Sequence, residues 1–439
     1  MAWALNGVYV LLWLAAAPWL LWRRWRWGKN RRGWLQKWWG LGAVPAASGP
    51  RIWLHAVSVG EVNLLAPIMA ELSRRGRFEF AISTTTETGF ELARQKYPEQ
   101  LVFFCPFDFS WAVKRTLQHL QPQLIVLAEL ELWPNWLRCA ARAGIPVVVV
   151  NGRLSAKSFA GYRTWRPLVS GMFRRLGLVL AQSEEYAQRF IALGTPAERV
   201  VVAGNVKFDN VDPERGRIQA AGFAGQFDLQ LGQPLLVGGS TQPDEELMLL
   251  RAFGKLRATF PELKLALVPR HPEKISAVEA ELRQLPWSYR FRSGRSERVG
   301  NSTVDVIVVD VIGELAAWWT LATVAYVGGS LGSRGGQNMI EPAACGCVVC
   351  FGPNTRNFKD VVELLLAHDA ASVIANEADW IALVSRTLKE PDWARQRGQR
   401  AAELVANHRG AASRTADELL RQLPKIADRP SRDASFRAA

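Results

Sequence analysis

Two doubly wound, Rossmann-like α/β units, each a parallel sheet covered by helices on both faces, are what this sequence predicts, and three observations predict them. From Arg51 onward, short β-branched or apolar runs alternate with helix-length amphipathic stretches. The runs fall into two sets separated by a polar, Gly-containing stretch at 210–233. The chain has 439 residues, more than one typical domain, and its 49% hydrophobic against 21% charged residues exclude a disordered or collagen-like polymer.

The elements follow in chain order. Residues 1–22 carry no charge and are rich in Ala, Leu, Val and Trp, at about the length of a hydrocarbon core, so they are expected to be a membrane anchor. Asn6, Gly7 and Pro18 weaken a full span and keep open a helix lying in the interface. Residues 23–50 form a basic juxtamembrane segment with Arg23, Arg24, Arg26, Lys29, Arg31, Arg32 and Lys37, interleaved with Trp. By the positive-inside rule this places the body on the cytoplasmic side. The charges follow the apolar run and no small-residue cleavage site separates them, which argues against a secretory signal.

Residues 51–212 make the first unit, with strands expected at 52–54, 78–83, 101–104, 124–128, 147–150, 178–181 and 200–203. Residues 213–427 make the second, with strands at 235–237, 264–268, 306–309, 324–327, 348–351 and 372–374. Residues 428–439 read as a flexible tail. Two such units are expected to face each other across a cleft lined by the loops at the carboxyl ends of their strands.

Charge and cysteine content narrow the function. The formal charge is +14, but residues 1–60 hold eight basic residues and no acidic one, so the excess belongs to the membrane end and is not a nucleic-acid footprint. Five Cys, an odd number in apolar stretches, suit reduced core thiols. Cys345-Gly-Cys347-Val-Val-Cys350 has metal-like spacing without a second ligand pair nearby.

Several strand-end loops carry dense polar residues. After the first strand comes His55-Ala-Val-Ser58-Val-Gly60-Glu61, where an acid in a helix's first turn is ordinary dipole chemistry, yet its place at a sheet's carboxyl end makes Glu61 a candidate general base. Thr86 lies in a hydroxyl-rich loop at 83–89. Glu129-Leu-Glu131-Leu-Trp133-Pro134 offers two carboxylates expected to point the same way in an extended strand. Arg153 and Lys207 bring cations to the same rim. In the second unit, Ser240 and Thr241 end a Gly-Gly turn, Arg270 follows Pro269, Glu314 follows Ile312 and Gly313, and a Gly-rich run at 328–336 leads into Asn338, Met339, Ile340 and Glu341. That run is expected to wrap its backbone around a nucleotide. No Asp-x-Asp pair occurs and the five His are scattered, so no metal-ligand set is visible.

Taken together these motifs resemble the lipid A Kdo transferases: HAVSVGE at 55–61, STTTETG at 83–89, ELELWPN at 129–135, NGRLSAKS at 151–158, GNVKFD at 204–209, PRHPE at 269–273 and GGSLGSRGGQNMIEPAA at 328–344. The resemblance implies a glycosyltransferase B-type fold and inverting transfer of 3-deoxy-D-manno-octulosonic acid (Kdo) from CMP-Kdo to a lipid A precursor. It implies no metal or other cofactor, and a place at the cytoplasmic face of the inner membrane among anionic lipids. It makes Glu61 the base and Glu131 and Lys207 transition-state stabilisers. Pro269, Arg270, Ile312, Gly313, Glu314, Asn338, Met339, Ile340 and Glu341 become CMP contacts. Ser58, Gly60, Thr86, Arg153, Ser240 and Thr241 are further substrate-contacting candidates. Gln337 stands where the family often has His. The competing readings are a same-fold enzyme using a UDP-sugar on a lipid acceptor, and a non-catalytic protein that binds anionic lipid.

Overall fold

The computed structural model describes residues 2–27, 32–230, 232–295, 297–298 and 304–423. The expected tail at 428–439, and Lys29 and Arg31 of the basic segment, lie outside the described residues. The chain divides into two compact units, one formed by residues 1–210 and 409–439, the other by residues 211–408.

The first unit is a seven-stranded parallel sheet. Its strands are β1 (Arg51–His55), β2 (Glu79–Thr84), β3 (Leu101–Phe104), β4 (Leu124–Ala128), β5 (Val147–Gly152), β6 (Leu178–Ala181) and β7 (Val200–Val202), in the order β3-β2-β1-β4-β5-β6-β7. All residues of β1, β4 and β5 are buried, as a sheet covered on both faces requires. The covering helices are α1 (Ala2–Trp27), α2 (Trp34–Trp39), α3 (Val59–Arg75), α4 (Glu87–Lys96), α5 (Ser110–Leu120), α6 (Pro134–Arg142), α7 (Ala156–Thr164), α8 (Arg166–Phe173) and α9 (Glu184–Leu193).

The second unit holds an eight-stranded sheet of β8 (Leu235–Thr241), β9 (Lys264–Pro269), β10 (Tyr289–Phe291), β11 (Glu297–Arg298), β12 (Val306–Val308), β13 (Val324–Val327), β14 (Val348–Phe351) and β15 (Ala371–Val373). The order is β11-β10-β12-β9-β8-β13-β14-β15, parallel except for β11. Strands β10 and β11 are additions to the sequence-based set. Both are short, β11 forming the sheet edge and β10 lying beside it, and Arg290 and Glu297 pair across them at 2.9 Å, so neither presents an apolar run.

Two differences concern the boundaries. The stretch at 210–233 was expected to be a pause, yet it contains α10 (Pro213–Gln226), started by Asp212, whose carboxylate accepts from Arg215 N–H at 3.2 Å, and by Pro213 in the first turn. Gly216 lets α10 close on Ala316, whose carbonyl a Cβ would meet at 2.8 Å. Further on, helix Ala411–Gln422 belongs to the first unit although the expected boundary assigned it to 213–427. Its Ala411, Ala412, Ala416 and Leu419 share a core with α3, and Arg75 reaches Asp417 at 2.7 Å.

The N-terminal segment also differs from expectation. Helix α1 runs through Pro18 and past residue 22, and Asn6 is buried. Asn6 donates to Ser110 Oγ at 2.7 Å and accepts from Asn135 at 3.0 Å. Tyr9 donates to Asp108 at 2.9 Å, and Asp108 also accepts from the Asn135 and Trp136 amides at the start of α6. Trp13 then packs on Trp34, Trp38 and Phe107. Among the described residues no helix is long and apolar enough to cross a membrane. Two cations of the basic segment are engaged by the body. Lys37 is buried, donates to the Thr85 carbonyl and lies 4.7 Å from the Phe104 ring centroid, while Arg32 pairs with Glu91 at 3.1 Å. Cys105, Cys139, Cys347 and Cys350 are buried free thiols and Cys345 is half-buried.

Removing the Asp108 carboxylate leaves two amides and a phenol without their acceptor. Asp108→Ala is therefore expected to lower stability by about 2–4 kcal/mol in urea unfolding, and to speed tryptic cleavage at Arg26 as α1 loosens.

Candidate active site

In the first sheet the chain order reverses direction between β1 and β4, the position where open parallel sheets leave a crevice at their carboxyl ends. The β1 loop leads into α3 and the β4 loop into α6, so Glu61 and the Glu129 to Trp133 loop come from neighbouring strands. Ser58 caps α3, and Glu61, three residues on, accepts from Val57 N–H at 2.8 Å and from Ser58 Oγ at 3.0 Å. The Glu61 amide in turn donates to Ser58 Oγ at 3.5 Å, so the cap residue and the glutamate hold each other. The helix start is legible in the sequence; the mutual hold of Ser58 and Glu61 is visible only in the structure.

Glu61, Glu129, Glu131, Arg153, Ser155, Ser158 and Tyr162 line one polar cavity of about 330 Å³. Burial pushes the Glu61 carboxyl up to about 7, opposed by the Val57 amide and the Ser58 hydroxyl and reinforced by the charges of Glu129 and Glu131. Burial also raises Glu131, while the Trp133 indole N–H at 3.2 Å opposes that rise. The two β4 carboxylates do not follow strand alternation, because Glu129 has φ of 58° and breaks the extended run. Glu129 instead pairs with Lys207 at 3.6 Å. The structure thus brings Glu61 and Glu131 to one cavity, and Lys207 to its edge through Glu129. Tyr162 was not anticipated from sequence; its place one helical turn beyond Ser158 on α7 was the available signal.

The other candidates in this unit are supports. Thr86 caps α4 by accepting from Gly89 N–H at 3.1 Å, and its hydroxyl donates to the Val57 carbonyl at 2.8 Å. It holds the loop that holds Glu61. Gly89 allows this approach, since a Cβ there would meet Thr86 Oγ1 at 2.8 Å. A Cβ on Gly60 would meet only Ser58 Oγ at an ordinary 3.8 Å.

In the second unit the loops after β12, β9, β8 and β13 issue from four adjacent parallel strands. Thr241 is buried, donates to Glu246 at 3.0 Å, and accepts from the Arg270 amide at 3.0 Å through its carbonyl. Ser240 sits in the left-handed region at φ 53°. Arg270 is exposed after Pro269 ends β9. Ile312 is 90% exposed beside Gly313, and Glu314 pairs with Arg292 at 2.9 Å. Asn338 donates to Glu341 at 2.9 Å and accepts from the Ile340 amide at 3.1 Å. Burial raises the Glu341 carboxyl.

Two expectations are corrected here. The side chains of Met339 and Ile340 are fully buried, so only their backbones can meet a ligand. The first amides of the glycine run do not wrap a nucleotide. Those of Gly329, Ser330 and Leu331 donate to Glu245 at 2.7, 2.9 and 3.0 Å, joined by the Tyr326 hydroxyl at 3.0 Å and the Gln242 amide at 2.9 Å. Glu245 is not among the residues the sequence singles out. Its signal was the capping spacing from Gln242. Among the described residues no group of three or more His, Cys, Asp or Glu is placed to hold a metal ion.

Glu245→Ala leaves these donors unsatisfied in a buried site and is expected to destabilise the second unit by about 3–5 kcal/mol, read by denaturant unfolding.

The family model described as 3-deoxy-D-manno-octulosonic-acid transferase (kdotransferase) matches residues 26–210. A 3-deoxy-D-manno-octulosonic acid transferase of Bordetella pertussis is 33% identical over 437 residues, 94% of this chain and 98% of that protein. One from Haemophilus influenzae is 30% identical over 385 residues, 87% and 88% of the two chains. The fold is similar to that of UDP-GlcNAc 2-epimerase from Neisseria meningitidis, with a TM-score of 0.55 at 11% identity over 85% of this chain and 99% of that one. This is the parallel α/β architecture of the glycosyltransferase B type. With a relative 33% identical along nearly its whole length, the chain belongs to the 3-deoxy-D-manno-octulosonic acid transferases, a family of glycosyltransferases.

Proposed function

We propose that the chain transfers Kdo from CMP-Kdo to a hydroxyl of a lipid A precursor, with inversion and without a metal, at the cytoplasmic face of the inner membrane. The observation that carries this reading is the Glu61 carboxyl, held by two hydrogen bonds in a polar cavity and tuned to about 7. A base is most effective when its pKa lies near the working pH. As the acceptor oxygen bonds to the anomeric carbon, Glu61 takes its proton. The bond from that carbon to the phosphate oxygen breaks, and CMP leaves as a stable anion that needs no proton.

Arg270 is assigned to the donor phosphate, where a guanidinium makes paired contacts. Asn338 and Glu341 are assigned to the cytidylate. Glu131 and Lys207 stabilise charge at the reacting centre, with Glu129 setting the lysine's position. Family membership and the spacing of these residues on strand-end loops support the assignments.

Membrane contact is assigned to α1, lying in the interface. Its inner side, through Asn6, Tyr9 and Trp13, packs on the body, while Trp3, Leu11, Leu14, Trp19 and Trp22 are exposed. A helix with Trp and Leu outward and Arg near one end suits the headgroup boundary. Beside it lies an apolar cavity of about 430 Å³, bounded by Leu12, Trp13, Phe107 and Trp133.

Glu61→Gln retains an acceptor for the Val57 amide and removes the base. Transfer is expected to fall roughly 10²- to 10⁴-fold with CMP-Kdo binding kept, measured as lipid product by mass spectrometry; turnover like the wild type, or product from UDP-sugars instead, refutes the assignment. The same variant tests the pKa. A carboxyl raised from 4.5 to about 7 on folding destabilises the fold once ionised. Glu61→Gln should therefore be more stable than wild type above pH 7, by about 1–2 kcal/mol, and should lose that advantage below about pH 4.5.

A further inference from the structure

A basic surface with exposed apolar side chains lies on the first unit, far along the chain from α1. Between Glu131 and Glu184 there is no acidic residue, while Arg138, Arg142, Arg153, Lys157, Arg163, Arg166, Arg174 and Arg175 give the stretch eight positive charges. Lys157 and Arg163 sit on α7 and Arg166 on α8, the two helices meeting at Trp165, and Arg174 and Arg175 follow directly after α8. Helix α7 has no buried residue and α8 buries only Phe173. The pair is held from inside by Phe159, Tyr162, Val169 and Met172 against the sheet's core, with Tyr162 edge-on to Phe173. Outward it presents Trp165, 62% exposed, and Leu168, 74% exposed. Lys157, Arg163 and Arg166 are exposed around them and, among the described residues, take part in no ion pair.

We infer that the α7–α8 corner docks on the headgroup layer of an anionic bilayer, with Trp165 and Leu168 inserted at the acyl boundary and Lys157, Arg163 and Arg166 on lipid phosphates. The charge decides the partner's sign, since the basic, acid-free helix pair is attracted to an anionic leaflet and screened within a Debye length of it, and of the nearby α9 acids Glu185 pairs with Arg189. The exposed Leu decides its kind, because an aliphatic side chain beside Trp gains from hydrocarbon and gains little from a phosphate backbone. The inner side of α7 contributes Ser155, Ser158 and Tyr162 to the cavity that holds Glu61. One helix therefore touches the bilayer outside and forms the cavity wall inside, which sets that cavity at the membrane surface. Only this last consequence rests on the transferase reading; the bilayer contact is tested without donor or acceptor, so either can fail alone.

The test is co-sedimentation of the full chain with vesicles of phosphatidylcholine alone and of phosphatidylcholine with phosphatidylglycerol in equal parts. Arg163→Glu with Arg166→Glu is expected to lower partitioning onto the phosphatidylglycerol vesicles about tenfold or more at low salt, since two attractions become repulsions. That difference should vanish at high salt. Trp165→Ser with Leu168→Ser should lower partitioning at both salt concentrations. Lys359→Glu with Lys389→Glu, the same charge change on the second unit, should change it less than twofold. All three pairs replace exposed side chains, so melting temperatures should stay near wild type. Partitioning unchanged in both α7–α8 variants, or lost equally in the Lys359 and Lys389 control, overturns the inference. So does a DNA duplex that binds more tightly than the vesicles and is released by the Arg163 and Arg166 reversal.

Discussion

A single carboxylate at the start of α3 has to satisfy two demands. Glu61 closes the helix end by accepting from Val57 and Ser58, and it faces a cavity shared with Glu129 and Glu131. Partial burial and two like charges favour its proton; the two donors favour its charge. The balance lies near neutrality, where a base is useful. The surrounding contacts preserve that balance. Thr86 fixes Val57 by its carbonyl, Gly89 lets Thr86 approach, and Lys207 offsets one of the neighbouring carboxylates through Glu129.

The second unit repeats the device with the opposite outcome. After its central strand β8, Gln242 and Glu245 form a capping box, but Glu245 is sealed beneath the glycine run and meets five donors. Those five hydrogen bonds fix its carboxylate in place beneath the loop. Its neighbour Glu246, which accepts from Thr241, is pushed up to about 7 by burial. A cap glutamate open to a cavity can exchange a proton, whereas one closed over by a loop becomes a post that shapes the loop. The glycines at 328–336 are thus ordered from below, leaving Asn338 and Glu341 paired at the end of the run.

Most of the sheet was legible because its strands are buried on both faces and read as unbroken apolar runs, as in Val147 to Val150 and Val324 to Val327. The loops of chemistry were legible because they follow those runs. What escaped the reading depended on partners distant in the chain. Helix Ala411–Gln422 joins the first unit through contacts with α3 more than 300 residues earlier. Lys37 looks like a membrane cation in sequence, yet lies buried against Phe104. The glycine run reads in sequence as backbone wrapped around a nucleotide, yet its Gly329, Ser330 and Leu331 amides donate to Glu245 beneath them. The acid-free surface of α7 and α8 is plain in the sequence, but its meaning rests on which of its apolar residues the fold leaves outside.

The most direct measurement is a carbon-13 NMR titration of the Glu61 side-chain carboxyl in the full chain, repeated with Glu129→Gln. The account predicts a midpoint near 7 that falls when the neighbouring charge is removed. A midpoint near 4.5, unmoved by the substitution, would show an ordinary helix cap and contradict it.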